Sequence, residues 1–117
     1  MPAKKSPSDL SVLAFRVAAV LESYQLHFER LAADWRNRPL YRKVSAQLHE
    51  IRALLGAFPQ LAVDMVEVVA CHVRLLHLLQ AEGPTADVSQ LQSRQSHAVE
   101  TMRRKTLKLL TRRSPAR

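Results

Sequence analysis

The chain has 117 residues, 47% of them apolar, with 18 Lys+Arg against 10 Asp+Glu for a formal charge of +8. That length and apolar content suit one domain with a real core. They exclude a multi-domain enzyme, a disulfide-stapled module and a mostly disordered chain. Only two glycines and one cysteine occur, which leaves little room for phosphate loops, nucleophile elbows or hairpin-rich β folds.

Residues 1–8 (MPAKKSPS) read as a disordered leader, with Ser8 or Asp9 capping a first helix that runs over residues 9–35. Leu10, Leu13, Val17, Val20, Leu21, Tyr24, Phe28 and Leu31 recur at three- and four-residue steps and form its core stripe. A second apolar stripe, Val12, Phe15, Ala19 and Leu26, lies on the other side. A helix with two apolar faces is either sandwiched in its fold or uses one face for a partner, so these four residues are the candidate oligomer or partner interface. Arg16 interrupts the apolar run that follows Lys4 and Lys5, which argues against a cleaved signal peptide.

The segment Arg36-Asn37-Arg38-Pro39 ends the first helix. Pro39 suits a first helical turn and Asn37 can cap. A second helix spans 39–55, with Tyr41, Val44, Leu48, Ile51 and Leu55 on one face; Gly56 is positioned for a left-handed C-cap, and Phe58-Pro59 stops continuation. A third helix spans 59–81 and is apolar around most of its circumference. Its narrow polar strip is Asp64, Glu67, Cys71 and Arg74, and such a helix is either the most buried member or pairs across a dimer. With Asp64, Glu67, His72, Arg74 and His77 inside Leu61–Leu79, that run is a soluble helix rather than a membrane span. Glu82-Gly83-Pro84 is the next stop, and a fourth helix, capped by Thr85 or Asp87, covers 86–111 before residues 114–117 fray.

The expected fold is all-α: an antiparallel up-down-up-down four-helix bundle in residues 9–113, with short disordered tails. Exchange of α-hairpins between copies is the main alternative.

The charge is local. Residues 9–93 hold eight Lys/Arg and nine Asp/Glu, for −1, whereas residues 94–117 hold eight basic residues and only Glu100, for +7. On a helical wheel, Val88, Leu91, Ala98, Val99, Met102, Thr106, Leu109 and Leu110 form a packing seam that Gln95 and Lys105 interrupt. Arg94, Arg104, Lys105, Lys108 and Arg112 share the opposing flank, with Arg103 and Arg113 at its margins. That stripe is the first candidate surface for an anion, with nucleic-acid backbone ranked ahead of an acidic protein. A bland reading stands beside it: a solvated face whose cations favour the negative helix terminus. The seam has no Trp or Phe, which argues against a membrane surface. A second basic patch, Arg36, Arg38, Arg42 and Lys43, interleaves with Trp35 and Tyr41. Such residues can stack bases and neutralise phosphates, although a Trp at a bundle end more often just covers the core.

Catalytic and metal chemistry find little support. A helix-turn-helix through Gly56 would present PQLAVDMVEVV as its recognition helix, which is apolar and acidic. His72 and His77, five residues apart, diverge by about 140° on a helix and cannot readily share a metal. His72 reads as a hydrogen-bonded core histidine. Glu67, one turn before Cys71, would raise the thiol pKa rather than activate it. The expectation is therefore a non-enzymatic, cytoplasmic, self-associating interaction module with no cofactor, metal or small-molecule substrate. A protein-only adaptor, binding through the apolar stripes of helices one and three and insensitive to salt, is the alternative.

Overall fold

The computed structural model describes the backbone of residues 7–113 and the side chains of residues 9–110. Residues 1–6 of the leader expected at 1–8, and the frayed tail expected at 114–117, lie outside them. Four α-helices account for nearly all of the described chain, and no strand occurs among the described residues: α1 (Pro7–Ala33), α2 (Arg38–Leu54), α3 (Ala62–Glu82) and α4 (Ala86–Arg113). The fold is an all-α helical bundle.

Local chemistry sets the ends. Pro7 and Ser8 are already helical, so the helix starts earlier than the expected cap and Ser8 and Asp9 sit in its first turn. Between α1 and α2, the Leu40 N–H donates to Asn37 Oδ1 at 3.0 Å, while Asn37 Nδ2 donates to Asp34 Oδ2 at 3.0 Å. This N-cap, with proline in the first turn, fixes the start of α2. Gly56 does not take the left-handed cap expected of it. The chain tightens instead into two 3-10 turns, Leu55–Ala57 and Pro59–Leu61, and the Phe58 N–H closes on the Leu55 carbonyl at 2.9 Å. The segment 59–61, expected in the third helix, therefore belongs to the connection. Leu55, Phe58 and Leu61 bury their side chains and pin that connection to the core. Among the described residues the one glycine with positive φ is Gly83, at 72°, which ends α3 where an L-residue would be strained. Thr85, not Asp87, caps α4: its Oγ1 accepts from the Val88 N–H at 3.3 Å.

The core follows the stripes. Val17, Leu21, Tyr24, Phe28 and Leu31 of α1 are fully enclosed, together with Val44 and Ile51 of α2, Val68, Leu75 and Leu79 of α3, and Met102 of α4. Each such side chain contributes about 1.5–3 kcal/mol by leaving water. α1 packs closely against α2 and α4, and α3 against α4, whereas α2 and α3 hardly approach one another. Arg16 meets Glu50 and His27 meets Gln47; Asp64 meets Lys105 and Glu67 meets Arg94. In both helix pairs residue number rises on one helix as it falls on the other. α3 is not apolar-buried all round: Met65, Val68, Cys71, His72, Leu75, Leu76 and Leu79 face inward, while Val63, Val66 and Val73 are exposed.

Candidate interaction surfaces

The centre of the bundle holds a buried polar chain. Tyr24 OH lies 2.8 Å from His72 Nδ1, and Gln95 Nε2 donates to Tyr24 OH at 3.1 Å. The tyrosine hydroxyl accepts from Gln95 and shares a hydrogen bond with His72 Nδ1, whose direction is set by the imidazole tautomer. Burial holds the His72 pKa down at about 4 and pushes the Tyr24 phenol well above its usual value, an effect Gln95 partly offsets. His72 is thus a hydrogen-bonded core histidine. Gln95, which the wheel places as an interruption of the seam, is instead fully buried and ties α4 to α1.

Part of the described basic flank of α4 is neutralised by the protein itself. Arg94 Nε donates to Glu67 Oε2 at 2.7 Å, and Lys105 Nζ to Asp64 Oδ1 at 3.0 Å. Arg103 and Arg104 share Glu100, at 3.2 and 3.6 Å. The polar strip of α3 therefore serves α4 within the same chain. Hydrogen bonding to Arg94 lowers the Glu67 pKa, and the same contact raises that of Arg94. Cys71 departs from the polar strip assigned to it: it is buried, its thiol 3.6 Å from Glu67 Oε2, and burial followed by the Glu67 charge raises its pKa. Lys108 is exposed and in no salt bridge among the described residues, and it lines a small cleft with Lys105, Leu109 and Gln60. Arg112 and Arg113 fall where only the backbone is described.

The α1–α2 turn is the opposite case. Trp35, Arg36, Arg38, Tyr41 and Arg42 line one open cleft, closed on the far side by Gln80 of α3. The Arg36 guanidinium stacks 4.6 Å from the Trp35 ring centroid. Among the described residues, no salt bridge involves Arg36, Arg38, Arg42 or Lys43. The first turn of α2 carries no acid, so the helix N-terminus adds to the positive field. Lys43 is exposed but does not line the cleft. This cleft and the C-terminal part of α4 stand at opposite ends of α2, one beside Arg38 and the other beyond the connection at Gln60.

Two apolar surfaces remain uncovered. On α1, Val12 and Phe15 are each 66% exposed and Leu26 51%, with Ala19 exposed between them, so the second stripe is not buried against a neighbouring helix. It continues into a shallow cleft between α1 and α4 that also carries Glu22 and Glu29. The other surface is the groove between α2 and α3. Its two clefts share Arg52 and Val69, and the second shares Tyr41 and Gln80 with the arginine cleft, so one trough runs along the bundle. Nothing in the sequence marks this groove, because helical periodicity shows which face is apolar but not how far two helices stand apart.

Among the described residues, no group of three or more His, Cys, Asp or Glu side chains is placed to hold a metal, and no helix is long and apolar enough to cross a membrane. Compared with known proteins, the chain matches no family model, no curated protein and no solved structure.

Proposed function

We propose that this chain is a non-catalytic helical interaction module, acting in the cytoplasm, that holds an anionic partner of the nucleic-acid backbone class. The observation that supports this reading most directly is the cleft at the α1–α2 turn, where three arginines that form no salt bridge among the described residues share a wall with Trp35 and Tyr41. An arginine whose charge is not met inside the protein keeps its full attraction for a phosphate. An aromatic ring beside it offers a stacking surface for a base. The basic stripe of α4 keeps a secondary role: Arg94, Arg104 and Lys105 meet carboxylates of their own chain, leaving Lys108 as its contributor among the described side chains.

The test is a gel-shift titration of wild-type protein against single-stranded and duplex DNA at several salt concentrations, read together with Trp35 emission. The chain has one tryptophan, so an emission change reports that cleft alone. Binding that weakens steeply with salt and shifts Trp35 emission is expected. Absence of a shift at low salt, or binding indifferent to salt, sinks the reading and favours the protein-only adaptor.

A further inference from the structure

The two uncovered apolar surfaces differ in the charges that frame them. The stripe on α1 runs from Val12 to Leu26 and carries Glu22 and Glu29, both exposed. The α2–α3 trough has Leu48, Leu55, Met65 and Val69 in its floor and the exposed Val66 and Val73 on its α3 side. Its polar rim is Arg52, His49 and His77, and it opens at one end onto Arg38 and Arg42. Among the described residues neither Glu22 nor Arg52 is in a salt bridge. The lengths also agree. At 1.5 Å per residue the stripe extends about 21 Å and the α2 wall from Tyr41 to Gly56 about 22 Å.

We propose that the α2–α3 trough receives the outer face of α1 from a second copy of this chain, so that copies join head to tail. The inserted helix supplies the close partner that α2 and α3 do not give each other. Val12, Phe15 and Leu26 cover Val66, Val69 and Val73, and Glu22 meets Arg52. A trough-to-trough dimer would set Arg52 and the turn arginines against their own copies, and a stripe-to-stripe dimer would do the same with Glu22 and Glu29; charge favours neither. Because stripe and trough are different surfaces, each copy keeps one of each free, and the assembly grows past a dimer or closes into a ring. This inference rests on the interaction-module reading only for self-association, not for the anion.

Sedimentation analysis over two decades of protein concentration, without nucleic acid, tests it. Wild type should exceed dimer mass as concentration rises. Phe15→Glu damages only the stripe and Val73→Glu only the trough; both sites are exposed, and circular dichroism checks that each variant keeps its helices. Each variant alone should stay monomeric, yet an equimolar mixture should give a one-to-one heterodimer, from the intact trough of one and the intact stripe of the other. Glu22→Arg and Arg52→Glu should each weaken assembly at least several-fold, and the double variant should recover it. A monomeric wild type, assembly that stops at a dimer without closing into a ring, loss through only one of the two apolar variants, or a mixture that does not pair would each overturn the proposal. Failure here leaves DNA binding by the monomer intact, so the two readings fail separately.

Discussion

Helix α4 from Arg94 onward and the turn between α1 and α2 are both basic, and they use their charge in opposite ways. On α4, Arg94 and Lys105 reach Glu67 and Asp64 of α3, and Arg103 and Arg104 share Glu100. At the turn, Arg36, Arg38 and Arg42 are in no salt bridge among the described residues and stand beside Trp35 and Tyr41. A count of charges ranks α4 first, because the last 24 residues carry +7. Pairing narrows that lead among the described side chains, where Glu67, Glu100 and Asp64 meet Arg94, Arg103, Arg104 and Lys105 while no salt bridge reaches Arg36, Arg38 or Arg42. What a cation offers a partner is the charge left after its own chain has used it, and an exposed pair also holds a side chain in a geometry a phosphate must first undo.

That contrast breaks most readily by removing the turn's charge. Changing Arg36, Arg38 and Arg42 together to Gln should weaken DNA binding about a hundredfold at fixed salt, at roughly 1 kcal/mol per lost contact. The Arg94→Gln/Lys105→Gln double variant should bind nearly as wild type. Titration by fluorescence anisotropy measures both, and equal losses would erase the distinction between the two regions.

The next effect concerns the body that holds the two ends apart. His72 is held neutral down to about pH 4 by burial, below the 6.5 of a free histidine. Between those values the unfolded chain binds a proton that the folded chain refuses, so stability rises with pH through that window and is lost on acidification. The loss should approach about 3 kcal/mol by pH 4. Urea melts at pH 7, 5.5 and 4.5 should show it, and His72→Gln should flatten the slope. A slope unchanged in that variant would assign the acid sensitivity elsewhere.

Trp35→Leu sharpens the description of the turn itself. Single-stranded DNA should bind about tenfold more weakly if a base stacks on the ring, within the roughly 1–3 kcal/mol typical of such stacking. Duplex DNA, whose bases are enclosed, should change little. An equal loss on both would make Trp35 a support for Arg36 rather than a stacking surface. The smallest effect belongs to the α4 pairs: Arg94→Gln should lower thermal stability slightly at low salt and not at high salt, because the Arg94–Glu67 pair is exposed and screened. A salt-independent change would show that the side chain acts through packing.

The sequence pattern made the helices legible. The three- and four-residue spacing of Val17, Leu21, Tyr24, Phe28 and Leu31 names the buried face of α1, and Asn37 and Thr85 mark the helix starts that their hydrogen bonds fix, with Pro39 in the first turn of α2. The exposed stripe of Val12, Phe15, Ala19 and Leu26 was legible for the same reason. Partnership across helices was not. Lys105 and Asp64 are 41 positions apart, and no wheel shows that α3 turns its acids toward α4. Gln95 looks like a flaw in an apolar seam until Tyr24, 71 positions away, is set beside it. The sparse contact between α2 and α3 is likewise a property of the packed chain, not of either helix's own pattern.

The salt dependence of DNA binding tests the central claim most directly, since each phosphate contact contributes a slope of about 0.9 in log K against log salt on a duplex. With the turn arginines as the contacts, the Arg36→Gln/Arg38→Gln/Arg42→Gln variant should lose roughly 2.7 of the wild-type slope. The Arg94→Gln/Lys105→Gln variant should keep nearly all of it. A turn variant with the wild-type slope, or an α4 variant that loses most of it, would contradict the account.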